Sequence, residues 1–178
     1  TALSVVREKE LGSIINLYVT PVTRSEFLIG KQLPYILLAL LNFLLMTLCA
    51  VTLFEVPLKG SFFTLLLATL IFIGFSTGFG LFASIFTRSQ VAAMFFAMVG
   101  SMLPAIQFSG LLNPVSSLEC VGRLIGEMYP VAQYVIVSRG VFNKALGFAD
   151  LHVTFPPMTV AALLILGLSI VLLAKQEK

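Results

Sequence analysis

The stretch QLPYILLALLNFLLMTLCAVTLF, Gln32 to Phe54, carries no charged residue and only scattered polar ones. A helix crossing a hydrocarbon layer of ~30 Å needs about 20 such residues. The same condition recurs three times. No charge falls between Gly60 and Thr87, between Ser89 and Leu118, or between Leu151 and Ala174. The whole chain of 178 residues is 58% hydrophobic and 11% charged. Soluble domains carry roughly 25% charge. An all-α integral membrane protein with four spans follows.

The spans are expected at 33–54, 61–86, 91–112 and 156–174. Pro34 is expected in the first turn of the first span, where a missing N–H does little harm. Pro104 interrupts the third. Segment 113–155 is the long connection. Within it, Tyr129-Pro130 precedes VAQYVIVSRGVF, an apolar run too short to cross. Short helices are expected near 115–127 and 131–142, either re-entrant or lying flat at the interface. Residues 175–178 form a short polar tail.

The balance of Lys and Arg orients the chain. Arg7, Lys9, Arg24, Lys31, Arg88, Lys175 and Lys178 fall on one side of the spans; Lys59, Arg123, Arg139 and Lys144 fall on the other. The positive-inside rule places 1–32, the Arg88 loop and the C-terminus in the cytoplasm, with 113–155 outside. The net charge of +3 is therefore a topology signal rather than a nucleic-acid footprint. Cys49 falls in a span and Cys120 in a loop, so no disulfide is expected between them. Residues 1–6, TALSVV, lack an initiating Met and a signal-peptide pattern, so the chain reads as a fragment of a larger membrane protein.

Ahead of the first span stands REKELGSIINLYVTPVTRSEFLIGKQLPY, Arg7 to Tyr35. Leu11, Ile14, Ile15 and Tyr18 recur at helical spacing behind a charged start, as in an amphipathic helix lying on the membrane face. Thr20-Pro21 stops that helix. Thr23-Arg24-Ser25-Glu26 then reads as a capping box that opens a helix feeding the first span. Such an element is either a juxtamembrane anchor or a lever through which a soluble partner moves the spans.

These residues carry a resemblance. Glu10-Leu11-Gly12, Thr20-Pro21-Val22 and Gly30-Lys31 follow the pattern between the second and third membrane helices of ABC-2 type transporter permeases. QFSGLLNPVSSLE and YPVAQYVIVSRGVF, further along, are similar to that family as well. The nearest likeness is to inner-membrane drug-efflux permeases of Gram-negative bacteria. The membrane tail of a ribosome-associated ATPase fusion is also similar, and a membrane anchor within such a fusion is the alternative function. The likeness lacks the family's first helix, its large periplasmic region and most of its second helix.

The resemblance implies the C-terminal part of an ABC-2 permease bundle, preceded by a cytoplasmic coupling helix. It implies a partner ABC ATP-binding subunit or domain that docks near Arg7, Glu8, Glu10, Gly12, Thr20, Pro21 and Arg24, and that holds the ATP and Mg. Further implied partners are a second permease half, identical or a sister, membrane lipid, and a periplasmic membrane-fusion protein. The implied activity is export of a drug-like, amphipathic or lipid-like substrate across a bacterial inner membrane.

The chain is expected to bind no ATP itself. Gly30-Lys31 is followed by Gln32, and Ser25 stands where a P-loop needs its first Gly. His152 has no partner at metal-ligand spacing. No Ser/His pair or pair of Asp falls within the spans, which argues against an intramembrane protease. The spans hold polar groups without charges, among them Asn42, Thr69, Ser76, Thr77, Ser84, Ser101 and Gln107. A proton-driven antiporter would usually place carboxylates or His there. Asn42, Gln107 and Ser109 are the candidates for a substrate path. Gly74 and Gly78, with Gly80 behind, form a small-residue stripe suited to close packing inside the bundle or between copies.

Overall fold

A computed structural model describes residues 3, 6, 24–87, 89–110 and 120–175. Among these the regular structure is entirely helical. The order is α1 (Arg24–Thr52), α2 (Phe62–Phe86), α3 (Gln90–Phe108), α4 (Cys120–Met128), α5 (Pro130–Asn143), α6 (Phe148–Leu151), a 3-10 turn (His152–Thr154) and α7 (Phe155–Lys175). Four stretches are long and apolar enough to cross a membrane: Gln32–Thr52, Phe62–Phe86, Gln90–Phe108 and Phe148–Ser169.

The helix ends follow from local chemistry. The Ser61 and Ser89 hydroxyls accept from the N–H groups of Thr64 and Ala92, capping α2 and α3. Pro156 and Pro157 stand in the first turn of α7, where no N–H is missed. Pro34 departs from expectation. α1 begins at Arg24, so Pro34 lies inside the helix and not in its first turn. The ring of an interior proline crowds the carbonyl four residues back. That residue is Gly30, around which a side chain would meet open space. The helix that begins at Arg24 thus continues into the span.

α2 is the hub, packing on α1, α3, α5 and α7. Leu65 and Ala68 of α2 meet Val137 and Val141 of α5 and Leu151, Phe155 and Met158 around the start of α7. Lipid tails are as apolar as leucine, so such helices associate through close packing and hydrogen bonds rather than escape from water. Close packing is visible at Gly78, where a Cβ would lie 2.9 Å from Ile165 Cγ2 and 3.0 Å from Leu166 Cδ2. Gly74 meets nothing within 4 Å, so only Gly78 of that pair serves the α2–α7 contact. α1 and α3 turn broad rows of leucine, methionine and phenylalanine outward. Such faces suit acyl chains or neighbouring helices.

Most hydroxyls within the spans donate to their own helix. Thr52, Thr69, Thr77 and Ser84 donate to the carbonyls of Leu48, Leu65, Ile73 and Leu81. Side chains also link helices: Ser169 Oγ of α7 reaches the Gly78 carbonyl of α2 at 3.5 Å. Gln32 Nε2 reaches Thr77 Oγ1 at 3.5 Å, tying α1 to α2, and Tyr134 joins Thr69.

α4 and α5 form a helical hairpin. Its second arm runs antiparallel to the first half of α2. Val141 accepts from the Gly60 N–H at 2.8 Å, just ahead of α2. Tyr134 stacks on Phe72 at 4.7 Å, and Tyr129, at the hairpin tip, meets Phe75 edge-on at 6.4 Å. At 1.5 Å per residue, Phe75 lies about 20 Å along α2 from Phe62, roughly half its length. The hairpin therefore packs alongside the spans, with its tip half-way along α2. The turn at the tip is held by the Gln133 amide, which donates to the Glu127 carbonyl. Gly60 permits the approach at the other end, since a Cβ there would lie 2.5 Å from the Leu146 carbonyl oxygen.

Candidate functional site

Beneath the hairpin tip lies a cleft of about 660 Å³ between α2, α3 and α7. Phe72, Phe75 and Phe79 recur every three or four residues on α2, so they share one face. Opposite stands a face of small groups on α3, Ala97, Gly100, Ser101 and Ala105, at the same kind of spacing. Large rings facing small residues leave room between two helices. Tyr129 and Val131 at the hairpin tip and Ile165 of α7 complete the wall.

The lining is almost wholly apolar and, among the described residues, uncharged. Its polar groups are the Ser76 and Ser101 hydroxyls, the Tyr129 phenol and backbone. Ser101 Oγ also donates to the Met98 carbonyl at 3.3 Å. Burial pushes the Tyr129 phenol above its ordinary value, so it stays neutral at physiological pH. Pro104 adds a backbone acceptor. It has no N–H, so the Gly100 carbonyl lacks the donor four residues on that a helix normally supplies. Gly100 and Pro104 both line the cleft. Size and lining fit a small-molecule site: a mostly apolar concavity with a few placed polar groups.

The residues singled out for a substrate path stand elsewhere. Asn42 is exposed on α1, Gln107 is exposed near the end of α3, and Ser109 is buried at the C-cap of α3. None of the three lines the cleft. The legible signal was the phenylalanine stripe at helical spacing, with Ser76 beside it. Of the coupling set, Arg24 opens α1. Arg7, Glu8, Glu10, Gly12, Thr20 and Pro21 lie outside the described residues. His152 Nδ1 lies 2.6 Å from the Ala149 carbonyl within its own turn. The described residues hold no group of three side chains able to take a metal ion.

Residues 1–143 match the ABC-2 type transporter family. The chain belongs to that family. This ABC-2 chain is 34% identical over 142 residues to the Escherichia coli K12 protein named probable multidrug ABC transporter permease YbhS, covering 80% of this chain and 38% of that protein. It is 29% identical over 145 residues to probable multidrug ABC transporter permease YbhR of the same organism, covering 81% and 39%. It also aligns over its whole length, at 29% identity, with 24% of ABC transporter G family member 20 of Dictyostelium discoideum. The ABC-2 chain thus spans less than two-fifths of the length of its bacterial relatives. No solved structure matches it.

Proposed function

We infer that this chain is part of a permease half in an ABC-2 exporter that moves a drug-like, amphipathic or lipid-like substrate out across a bacterial inner membrane. The family match over residues 1–143 carries the reading. The names of the two bacterial relatives, multidrug permeases, support the substrate class. The uncharged lining of the cleft agrees with an apolar or amphipathic cargo. The relatives' names give the ribosome-associated fusion no support.

In this reading the energy comes from ATP and Mg bound on partner ABC domains. Arg7, Glu8, Glu10, Gly12, Thr20, Pro21 and Arg24 form the surface those domains push. α1 begins at Arg24 and runs unbroken to Thr52, so displacement at its cytoplasmic end would be carried along the span. A second permease half, identical or a sister, faces this one. A periplasmic membrane-fusion protein receives the cargo.

Co-purification of the full-length protein from detergent, followed by an ATPase assay, tests the reading. An ATP-binding subunit should co-purify, with substrate-stimulated ATPase. The pair Glu8→Lys and Glu10→Lys should abolish stimulation while leaving membrane insertion intact. Unchanged stimulation in that variant would remove the coupling role from this segment. Absence of any associated ATPase would sink the exporter reading.

A further inference from the structure

The cleft under Tyr129 has features that export alone does not specify. It lies within one chain, between α2, α3 and α7, and not on the outward faces of α1 and α3. Resting on the exporter reading, we propose that this cleft is a binding site for an uncharged aromatic amphiphile bearing a hydrogen-bond donor.

Three observations select that class. The wall is built from ring faces and edges. Phe75 stacks on Phe79 at 6.5 Å and meets Tyr129 at an interplanar angle of 86°, so an inserted ring finds both offset and edge-on partners. No carboxylate or ammonium group among the described residues reaches the lining. A charged ligand would be desolvated there without a counter-charge, whereas a neutral one is not penalised. Finally, the Gly100 carbonyl is denied its helical donor by Pro104, and both residues line the cleft. An apolar site rewards a ligand O–H or N–H that reaches such an acceptor.

The aromatic class differs from an acyl chain in what it needs. A flexible chain would gain little from three phenylalanines and a carbonyl acceptor, and it loses conformational freedom when confined. A flat ring system loses little. Gly100 also sets the width of the cleft. A Cβ there would lie 3.1 Å from Phe79 Cζ, so the glycine keeps ring and helix in direct contact at the cleft floor.

Photolabelling tests the assignment. The full-length permease in lipid nanodiscs is irradiated with 4-(hydroxymethyl)benzophenone, which is neutral, aromatic, a donor and photoreactive. Labelled peptides are then mapped. Saturable labelling is expected within residues 97–105 and at 129–131. The fillers Ala97→Leu and Ser76→Leu should each weaken it about ten-fold, equivalent to roughly 1.4 kcal/mol. Leu38→Ala, on the outward face of α1, should not change it. The anionic isostere 4-benzoylbenzoic acid should compete poorly.

Non-saturable label spread over α1 and α3 would overturn the proposal, as would labelling that both fillers leave unchanged. Hexadecanol competing as well as the unlabelled aromatic would overturn it in favour of a lipid chain. The wild-type map stands even if a filler fails to fold. The readout needs no ATP. Saturable labelling without any associated ATPase would keep the site and sink the exporter reading; export without labelling would do the reverse.

Discussion

Tyr134 Oη lies 3.1 Å from Thr69 Oγ1. The threonine proton is already committed to the Leu65 carbonyl at 2.8 Å, so the phenol is the donor. With the ring stacked on Phe72 at 4.7 Å, this one side chain fastens α5 to α2.

Removing either partner should loosen that link. Tyr134→Phe keeps the stacked ring and loses the donor; Thr69→Val loses the acceptor. Interhelical hydrogen bonds in membranes couple by about 0.6 kcal/mol, and up to roughly 1.7. A double-mutant cycle on thermal unfolding in detergent should give a coupling in that range. Strict additivity would mean that the bond contributes nothing.

The two glycines of the α2 stripe should behave differently. Gly78→Val forces Ile165 and Leu166 to move, because even a Cβ comes within 3.0 Å of each. Overpacking of this kind costs about 1–3 kcal/mol. Gly74→Val adds a Cβ that meets nothing within 4 Å and serves as the matched control for valine in a helix. Unfolding midpoints should fall for Gly78→Val well beyond Gly74→Val. Equal effects would show that α7 yields freely at this contact.

Ala68 is fully buried between α2 and the hairpin core. A mid-span Asp costs roughly 2.5–3.5 kcal/mol on insertion scales. Ala68→Asp should therefore hinder insertion in a translocon glycosylation assay and leave little folded protein. Normal insertion and yield would mean that water reaches this side of α2.

Topology can be read with impermeant thiol reagents. Ser89 caps α3 at one end of the bundle, and Asn143 ends α5 at the other. On a background without Cys49 and Cys120, Ser89→Cys should label only from the cytoplasm and Asn143→Cys only from outside. The reverse pattern overturns the orientation drawn from the basic residues.

The four spans were legible because each needs only a long charge-free run, a local property of the chain. The starts expected at 61 and 91 from the apolar runs lie within one residue of the observed starts at Phe62 and Gln90. Pro34 was misplaced because a proline in a helix interior reads like one at a helix start when the preceding residues are polar. The glycine stripe suggested close approach, but not that Gly78 alone touches α7 while Gly74 stands open.

The cleft shows the division most clearly. Phe72, Phe75 and Phe79 could be seen in the sequence as one helix face, yet not what that face opposes. Asn42, Gln107 and Ser109 attracted notice as polar groups in apolar spans, and the structure puts all three away from the cleft wall. Whether α5 lies flat or dips inward was likewise open from its length. The sequence alone determined that this chain carries four stretches long and apolar enough to cross a membrane and roughly where they run, because hydropathy is a property of each continuous run. Only the tertiary structure decided that Tyr129 reaches the middle of α2 and roofs a cleft there. That outcome depends on contacts between residues tens of positions apart, which no local pattern encodes.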